Sequence, residues 1–92
     1  MILSLDEARE ILRIDGTDND NIITSLVEAI PDYITLTTGI KPEEMSGIPL
    51  VKTVAKFILQ FWYNAEQSDG DRLQRTIDSL LKTLSLMASR SV

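Results

Sequence analysis

The sequence predicts an all-α protein, folded as a compact four-helix domain with a central, apolar third helix. Three observations lead to this prediction. The 92 residues are 43% hydrophobic, which supplies one core but leaves little apolar material for a second. Apolar side chains recur at helical spacing in four segments. Glycine and proline, which end or begin helices, fall between those segments. We therefore interpret residues 1–92 as one domain.

The first predicted helix begins after Ser4 and ends before Gly16. The letters SLDE form a capping box, in which the Ser4 side chain accepts from a backbone N–H and Glu7 reaches back to the cap. Gly16 can adopt the left-handed conformation that ends many helices. The apolar residues of this segment share one face: Leu5, Ala8 and Leu12.

The second predicted helix begins near Asp18 or Asp20, either of which can cap it, and ends near Thr38. Pro31 interrupts it on the polar side and removes one backbone hydrogen bond, so we expect a kink and not a break. Gly39 then provides the C-terminal cap. Its apolar residues recur on one face, which predicts burial: Ile22, Ile23, Leu26, Val27, Ile30, Tyr33 and Ile34.

Residues 40–48 are predicted to form a loop, because proline, glycine and charged residues dominate them. Pro49 then suits the first turn of a third helix, which we expect to run to about Glu66. Its apolar residues cover an arc of about 200° of the helix surface, so this helix should contact the other three. Three aromatic residues of this helix are interpreted as core and not as a base-stacking surface: Phe57, Phe61 and Trp62.

A loop leads to the fourth helix, which is predicted to span about residues 71–88. Ser68 or Asp69 is its expected N-cap. Leu86 points away from the apolar stripe of this helix, and residues 89–92 are expected to fray. Five residues form the stripe: Leu73, Ile77, Leu80, Leu81 and Leu84.

The composition argues against several kinds of site. The chain has no cysteine and no histidine, so neither a thiolate zinc site nor a histidine base is available. An EF-hand loop places its glycine after the acids, whereas Gly16 precedes Asp18 and Asp20, so no calcium site is expected. Glu43 and Glu44 are adjacent but lack a nearby nucleophile, and are interpreted as solvated.

No glycine-rich phosphate loop is present in the sequence. No apolar run is long enough for a membrane span, and no basic segment precedes an apolar one as in a signal peptide. We therefore expect a protein that is not an enzyme, has no cofactor, metal or small-molecule substrate, and is neither secreted nor inserted in a membrane.

The net charge of −5 is unevenly distributed. Residues 1–44 carry ten acidic and three basic side chains, a net of −7, whereas residues 45–92 carry four acidic and six basic ones, a net of +2. An acidic chain gains no affinity for DNA from counterion release, so sequence-specific binding is not expected. Opposite charges in the two halves favour head-to-tail contact between copies, although they serve equally well as a solvated surface.

Seven residues are candidates for self-association or for contact with a partner protein, because they are charged or because they are apolar or aromatic and point outward. The charged members come from the acid-rich turn and from the third helix, and the others lie on the wet side of the third helix and near the C-terminus. The candidates are Asp18, Asp20, Lys52, Lys56, Tyr63, Leu86 and Met87.

Taken in order, these segments resemble the phage head–tail connector family, small helical proteins of tailed phages and prophages that are also called DNA-packaging or head–tail adaptor proteins. The N-terminal block carries LRID at residues 12–15, an acid-rich turn, and the ending Tyr33-Ile34 and Thr38-Gly39. The block IPLVKTVAKFILQFWYNAE is similar to the third helix of that family. The Pro-x-Gly that usually precedes the last helix is absent, and the resemblance covers about residues 4–84.

The resemblance implies a structural role in virion assembly. Family members form a homo-oligomeric ring beneath the portal protein, continue the DNA channel and dock the tail or the next adaptor, while DNA passes without sequence-specific binding. It also implies a location at the head–tail junction of the virion, after assembly in the bacterial cytoplasm. The alternative is a small regulatory module, such as an inhibitor or antitoxin subunit, that binds one protein partner.

Overall fold

The computed structural model describes residues 2–64 and 70–90, and all regular elements in these ranges are helices. The all-α prediction is therefore confirmed, and the four predicted helices correspond to α1, α2, α4 and α5. In chain order the described helices are α1 (Leu5–Leu12), α2 (Asp20–Thr38), α3 (Pro42–Met45), α4 (Pro49–Tyr63) and α5 (Gly70–Arg90). None of the helices in the described ranges is long and apolar enough to cross a membrane.

The helices pack around one apolar core in which α4 holds the predicted central position. Helix α4 contacts α1, α2 and α5, and α2 contacts each of the other described helices. Removing a large apolar side chain from water contributes about 1.5–3 kcal/mol, so this core is the main source of stability. Its buried residues include Val51, Val54, Ala55, Ile58 and Leu59 of α4, Ile23, Val27, Ile30 and Ile34 of α2, and Ile77, Leu81 and Leu84 of α5.

Helix α1 begins as the sequence predicts. Ser4 Oγ accepts a hydrogen bond from the Glu7 backbone N–H, and Glu7 Oε1 accepts one from the Ser4 N–H, both at 3.1 Å. The capping box is therefore complete, and it satisfies two backbone donors that a helix start leaves without partners. Ala8, one turn further along, is fully buried against the core.

Helix α1 ends earlier than predicted. Arg13 adopts a left-handed conformation with φ of 58°, and the Ile14 backbone N–H donates to the Arg9 carbonyl at 2.9 Å. This bond pattern closes the helix after Leu12. The prediction that Gly16 ends α1 is wrong, because the chain has already turned three residues before it.

Helix α2 begins at Asp20, with Asn19 in the cap position but without a side-chain capping bond. The prediction that Asp18 or Asp20 caps this helix is wrong. The side chains of Asn19 and Asp20 bind partners on other helices instead, as described below. Ile22, which the apolar pattern assigned to the buried face, is 57% exposed, whereas Ile23 is fully buried.

Helix α2 continues through Pro31, so the prediction that proline does not break it is confirmed. The helix ends at Gly39, whose φ of 82° lies in the left-handed region that glycine adopts without strain. Thr38 Oγ1 donates to the Ile34 carbonyl at 2.7 Å and accepts from the Ile40 N–H at 3.1 Å. These bonds satisfy the buried polar groups at this turn.

A short helix, α3, occupies part of the segment that the sequence predicted as a loop. Pro42 stands in the first turn, where its missing N–H leaves no hydrogen bond unmade. Glu43 and Glu44 follow in the same turn, where the helix dipole favours negative charge. Met45 is only 4% exposed and joins the core. Its burial holds one helical turn in place, which explains why the loop prediction is wrong here.

Helix α4 ends at Tyr63, with Asn64 as its cap, three residues before the end predicted near Glu66. Residues 65–69 lie outside the described part of the chain, as do the caps predicted at Ser68 or Asp69.

Helix α5 runs to Arg90, two residues beyond its predicted end, so the first half of the tail that was expected to fray is helical. Residues 91 and 92 lie outside the described part of the chain.

The aromatic residues of α4 lie at the edge of the core. Phe57, Phe61 and Trp62 are partly buried and pack against it, which agrees with the predicted core role. The rings of Trp62 and Tyr33 meet edge to face with centroids 5.4 Å apart. This geometry is the favoured one for aromatic pairs and joins α4 to α2.

Leu84→Ala should lower the free energy of unfolding by about 2–5 kcal/mol, because it leaves a cavity where a fully buried side chain stood. Leu86→Ala is the matched control on the same helix. Leu86 is 55% exposed, so its truncation should change stability by less than about 0.5 kcal/mol. Urea unfolding at low protein concentration, followed by circular dichroism, measures both. Equal losses would contradict the assignment of the two faces of α5.

Candidate assembly surface

The seven residues that the sequence singles out as contact candidates do not form one site. Three of them bind partners within the same chain, and the other four are exposed to solvent. The bound residues are Asp20, Lys52 and Tyr63. The exposed residues are Asp18, Lys56, Leu86 and Met87.

Asp20 is held by Arg9 of helix α1. Arg9 Nε donates to Asp20 Oδ1 at 2.9 Å and Arg9 Nη2 donates to Oδ2 at 2.5 Å, a two-pronged contact. Arg9 Nη1 also donates to Asp6 at 2.8 Å. The hydrogen bonds to Arg9 lower the pKa of Asp20, and the same contact raises the pKa of Arg9. Asp20 therefore ties α1 to the first turn of α2.

Lys52 is held by Glu7, and this pair joins α4 to α1. Lys52 Nζ lies 2.6 Å from Glu7 Oε2. The hydrogen bond from Lys52, together with that from the Ser4 N–H, lowers the pKa of Glu7 from 4.5 to about 2. The side chains of Lys52 and Glu7 are 47% and 38% exposed, so water screens the pair. Its main effect is to fix the position of the N-terminus of α1.

Tyr63 is held by Asn19, 44 residues away in the sequence. Asn19 Nδ2 donates to the Tyr63 hydroxyl oxygen at 2.8 Å, in a partly buried position. The contact joins the last turn of α4 to the residue that precedes α2. The prediction that Tyr63 lies on the wet side of the helix is wrong in part, because its ring is partly buried against the core and its hydroxyl is engaged within the chain. The helical pattern could not reveal this partner because it carries no information on distant segments.

Four large hydrophobic side chains are exposed in the described ranges, and they lie on α2 and α5. Leu86 and Met87 were identified from the sequence and are 55% and 43% exposed. Ile22 and Leu36 were missed, although Leu36 is the most exposed of the four at 85%. The position of Leu36 in the sequence indicates its exposure, because Leu36 lies four residues after Asp32 and therefore on the polar face of α2.

Several clefts open between the described helices. One, of about 410 Å³, lies between the end of α1, α4 and the start of α5, with Arg13 and Arg72 beside Phe57 and Phe61. Another, of about 500 Å³, lies between α3 and the start of α4, and a third, of about 290 Å³, lies between α1 and α4. Among residues 2–64 and 70–90, no group of three or more acidic side chains is arranged to bind a metal ion.

Glu7→Gln should remove a pH-dependent part of the stability. Because the folded state lowers the pKa of Glu7 to about 2, the charged form stabilises the fold above about pH 4.5. This contribution is lost as the pH falls from 4.5 towards 2. Thermal midpoints measured between pH 2 and 6 should therefore differ at pH 6 and converge near pH 2. Glu10→Gln, an exposed position on the same helix, is the control. A difference that stays constant with pH would contradict the assignment.

The sequence was compared with protein-family models, curated proteins and solved structures. Residues 2–90 match the family described as phage gp6-like head–tail connector protein. No curated protein and no solved structure matches the chain. The matched range contains all five described helices, and therefore both the ion pairs of α1 and the exposed residues of α2 and α5. The chain thus belongs to the phage gp6-like head–tail connector family, and its role is that of a structural connector.

Proposed function

We propose that this connector assembles as a ring beneath the portal protein of a phage or prophage capsid. The ring extends the DNA channel and joins the head to the tail or to the next adaptor protein. The observation that carries the proposal is the family match over residues 2–90. In this proposal the protein takes part in DNA packaging and virion assembly through shape and charge, without catalysing a reaction.

The charge of the chain supports the passage of DNA through such a ring. The chain has a net charge of −5, and a channel wall of negative sign repels the phosphate backbone and does not hold it. Several acidic side chains are exposed on the described surface and can supply this sign: Asp15, Glu28, Glu43 and Glu44. DNA therefore slides past them without sequence-specific contact.

The contacts within the chain support a preformed assembly surface. Two ion pairs hold α1 in place. The Arg9–Asp20 pair joins it to α2, and the Lys52–Glu7 pair joins it to α4. A subunit that is already ordered loses little conformational entropy on docking, which strengthens binding without new contacts. Many weak contacts then add up in a closed ring.

The exposed candidates remain available for contact with neighbouring proteins. We assign this role to Asp18, Lys56, Leu86 and Met87, which are all exposed. Asp20, Lys52 and Tyr63 contribute indirectly, by fixing the helices that carry the contact surface.

The proposal is tested by expressing the chain together with the portal protein of the same phage and imaging the purified complex by electron microscopy. The expected result is a ring of copies on the portal, coaxial with its channel, that is absent when the portal is expressed alone. A portal that carries no added density would refute the proposal. A complex of one copy with one unrelated protein would instead favour the regulatory alternative.

Charge reversal at Lys56 should weaken self-association if the basic half of one copy meets the acidic half of the next. Lys52 is unsuitable for this test, because its reversal would also place two negative charges at Glu7. Lys56→Glu should therefore lower the association constant in sedimentation equilibrium at high protein concentration. Lys41→Glu, an exposed lysine in the acidic half, is the control and should have a smaller effect. Unchanged sedimentation of Lys56→Glu would remove Lys56 from the interface.

A further inference from the structure

Two helices carry outward ridges with the same layout. We define the α2 ridge as Ser25, Ala29, Asp32 and Leu36, and the α5 ridge as Arg75, Ser79, Lys82 and Leu86. All eight residues are exposed. In each ridge the spacing is four, three and four residues, which aligns side chains along one line of a helix and is the spacing with which helices pack side by side.

Each ridge has an exposed leucine at its C-terminal end. Leu36 is 85% exposed and Leu86 is 55% exposed, although both lie in regular helix. Leu36 gains almost no stability from folding, and Leu86 gains only about half of what full burial would provide, because the hydrophobic contribution scales with the area removed from water. A second helix that covered either leucine would supply that burial.

The charges of the two ridges are complementary and are placed at the same distance from the leucines. Asp32 lies four residues before Leu36, and Lys82 lies four residues before Leu86. Among the described residues, neither Asp32 nor Lys82 takes part in an ion pair within the chain. The two side chains are therefore available to each other in a contact between copies.

We propose that the α2 ridge of one copy docks against the α5 ridge of a second copy, with the two helices parallel. In this register Asp32 faces Lys82, Leu36 faces Leu86, and the small residues Ala29 and Ser79 face each other. This inference rests on the proposed function, because it names the contact between subunits of the ring.

Other pairings of the same ridges fit less well. In parallel alignment, two α2 ridges would bring Asp32 against Asp32, and two α5 ridges would bring Lys82 against Lys82, so like charges disfavour both. In antiparallel alignment, two α2 ridges would leave Leu36 against Ser25, and two α5 ridges would leave Leu86 against Arg75, so neither leucine would be covered by another. An antiparallel pairing of the two ridges would place Leu36 against Arg75 instead. The favoured contact uses different surfaces on the two copies, so it repeats from copy to copy and closes a ring when the rotation allows.

Disulfide cross-linking tests the register, because the natural chain has no cysteine. Single-cysteine variants are mixed in pairs at high protein concentration under mild oxidation. Leu36→Cys with Leu86→Cys should cross-link, and so should Ala29→Cys with Ser79→Cys. The mismatched mixtures, Leu36→Cys with Ser79→Cys and Ala29→Cys with Leu86→Cys, are the controls.

The mismatched positions lie seven residues apart along a helix, about 10 Å, which exceeds the reach of a disulfide. The expected result is loss of the mixed dimer in both mismatched mixtures. Equal cross-linking of matched and mismatched mixtures, or no mixed dimer in any of them, would overturn the proposal. Homodimers of Leu36→Cys alone would instead indicate pairing of two α2 ridges.

A charge swap tests the ion pair independently. Asp32→Lys and Lys82→Asp should each weaken self-association about 1.5- to fivefold per contact, and the double variant should recover it. Glu43→Lys and Lys41→Asp make the same charge changes at exposed positions off the ridges and serve as controls. No recovery in a double variant that folds normally by circular dichroism would overturn the proposed pairing.

The outcomes separate this inference from the proposed function. A ring that forms on the portal but shows no matched cross-links would overturn the ridge pairing and leave the connector ring intact. Matched cross-links in a chain that never forms a ring on the portal would support the pairing and refute the ring.

Discussion

The structure depends on one constraint: helix α4 is apolar over most of its surface and must be covered. Among the described helices, α1, α2 and α5 all contact it, and Leu3, Ile40 and Met45 complete the core. The buried residues of α2 and α5 are used in this task, so their outward faces are the surfaces left for other work. A single exposed leucine is common on protein surfaces, so Leu36 and Leu86 become informative only through the complementary charges, Asp32 and Lys82, that accompany them.

The polar contacts have a different role from that of the core. Three residues that the sequence marks as contact candidates are bound within the chain. Asp20 is bound by Arg9, Lys52 by Glu7, and Tyr63 by Asn19. The Lys52–Glu7 pair is screened by water and contributes little free energy of folding, whereas the Arg9–Asp20 pair is partly buried and two-pronged. They do fix the angle at which α1 leaves the core, and a rigid outline suits a protein whose role in the family is to connect larger assemblies.

The sequence is sufficient to predict the four helices and most of their buried faces, with the exception of Ile22, because helical periodicity indicates which side of a helix is buried. It failed where the decisive partner lies elsewhere in the chain. Asn19 and Tyr63 are 44 residues apart, so no local pattern links them. The end of α1 was misplaced because Arg13 accepts a left-handed conformation that propensity assigns to glycine. Of the eight residues of the α2 and α5 ridges, the sequence indicated only Leu86 as a contact candidate.

The proposed ridge contact would let copies of this connector stay separate in dilute solution and still assemble on a head. The proposed contact consists of one exposed ion pair and one pair of leucines. Their favourable free energy is small compared with the entropy that two free copies lose on docking, so the contact is weak. In a ring each copy makes two such contacts, and a portal that holds neighbouring copies close together converts the second contact into an intramolecular one. In the proposed ring, a weak, directional contact between unlike surfaces would therefore favour assembly at the portal over open chains in dilute solution, because the portal would raise the local concentration of copies.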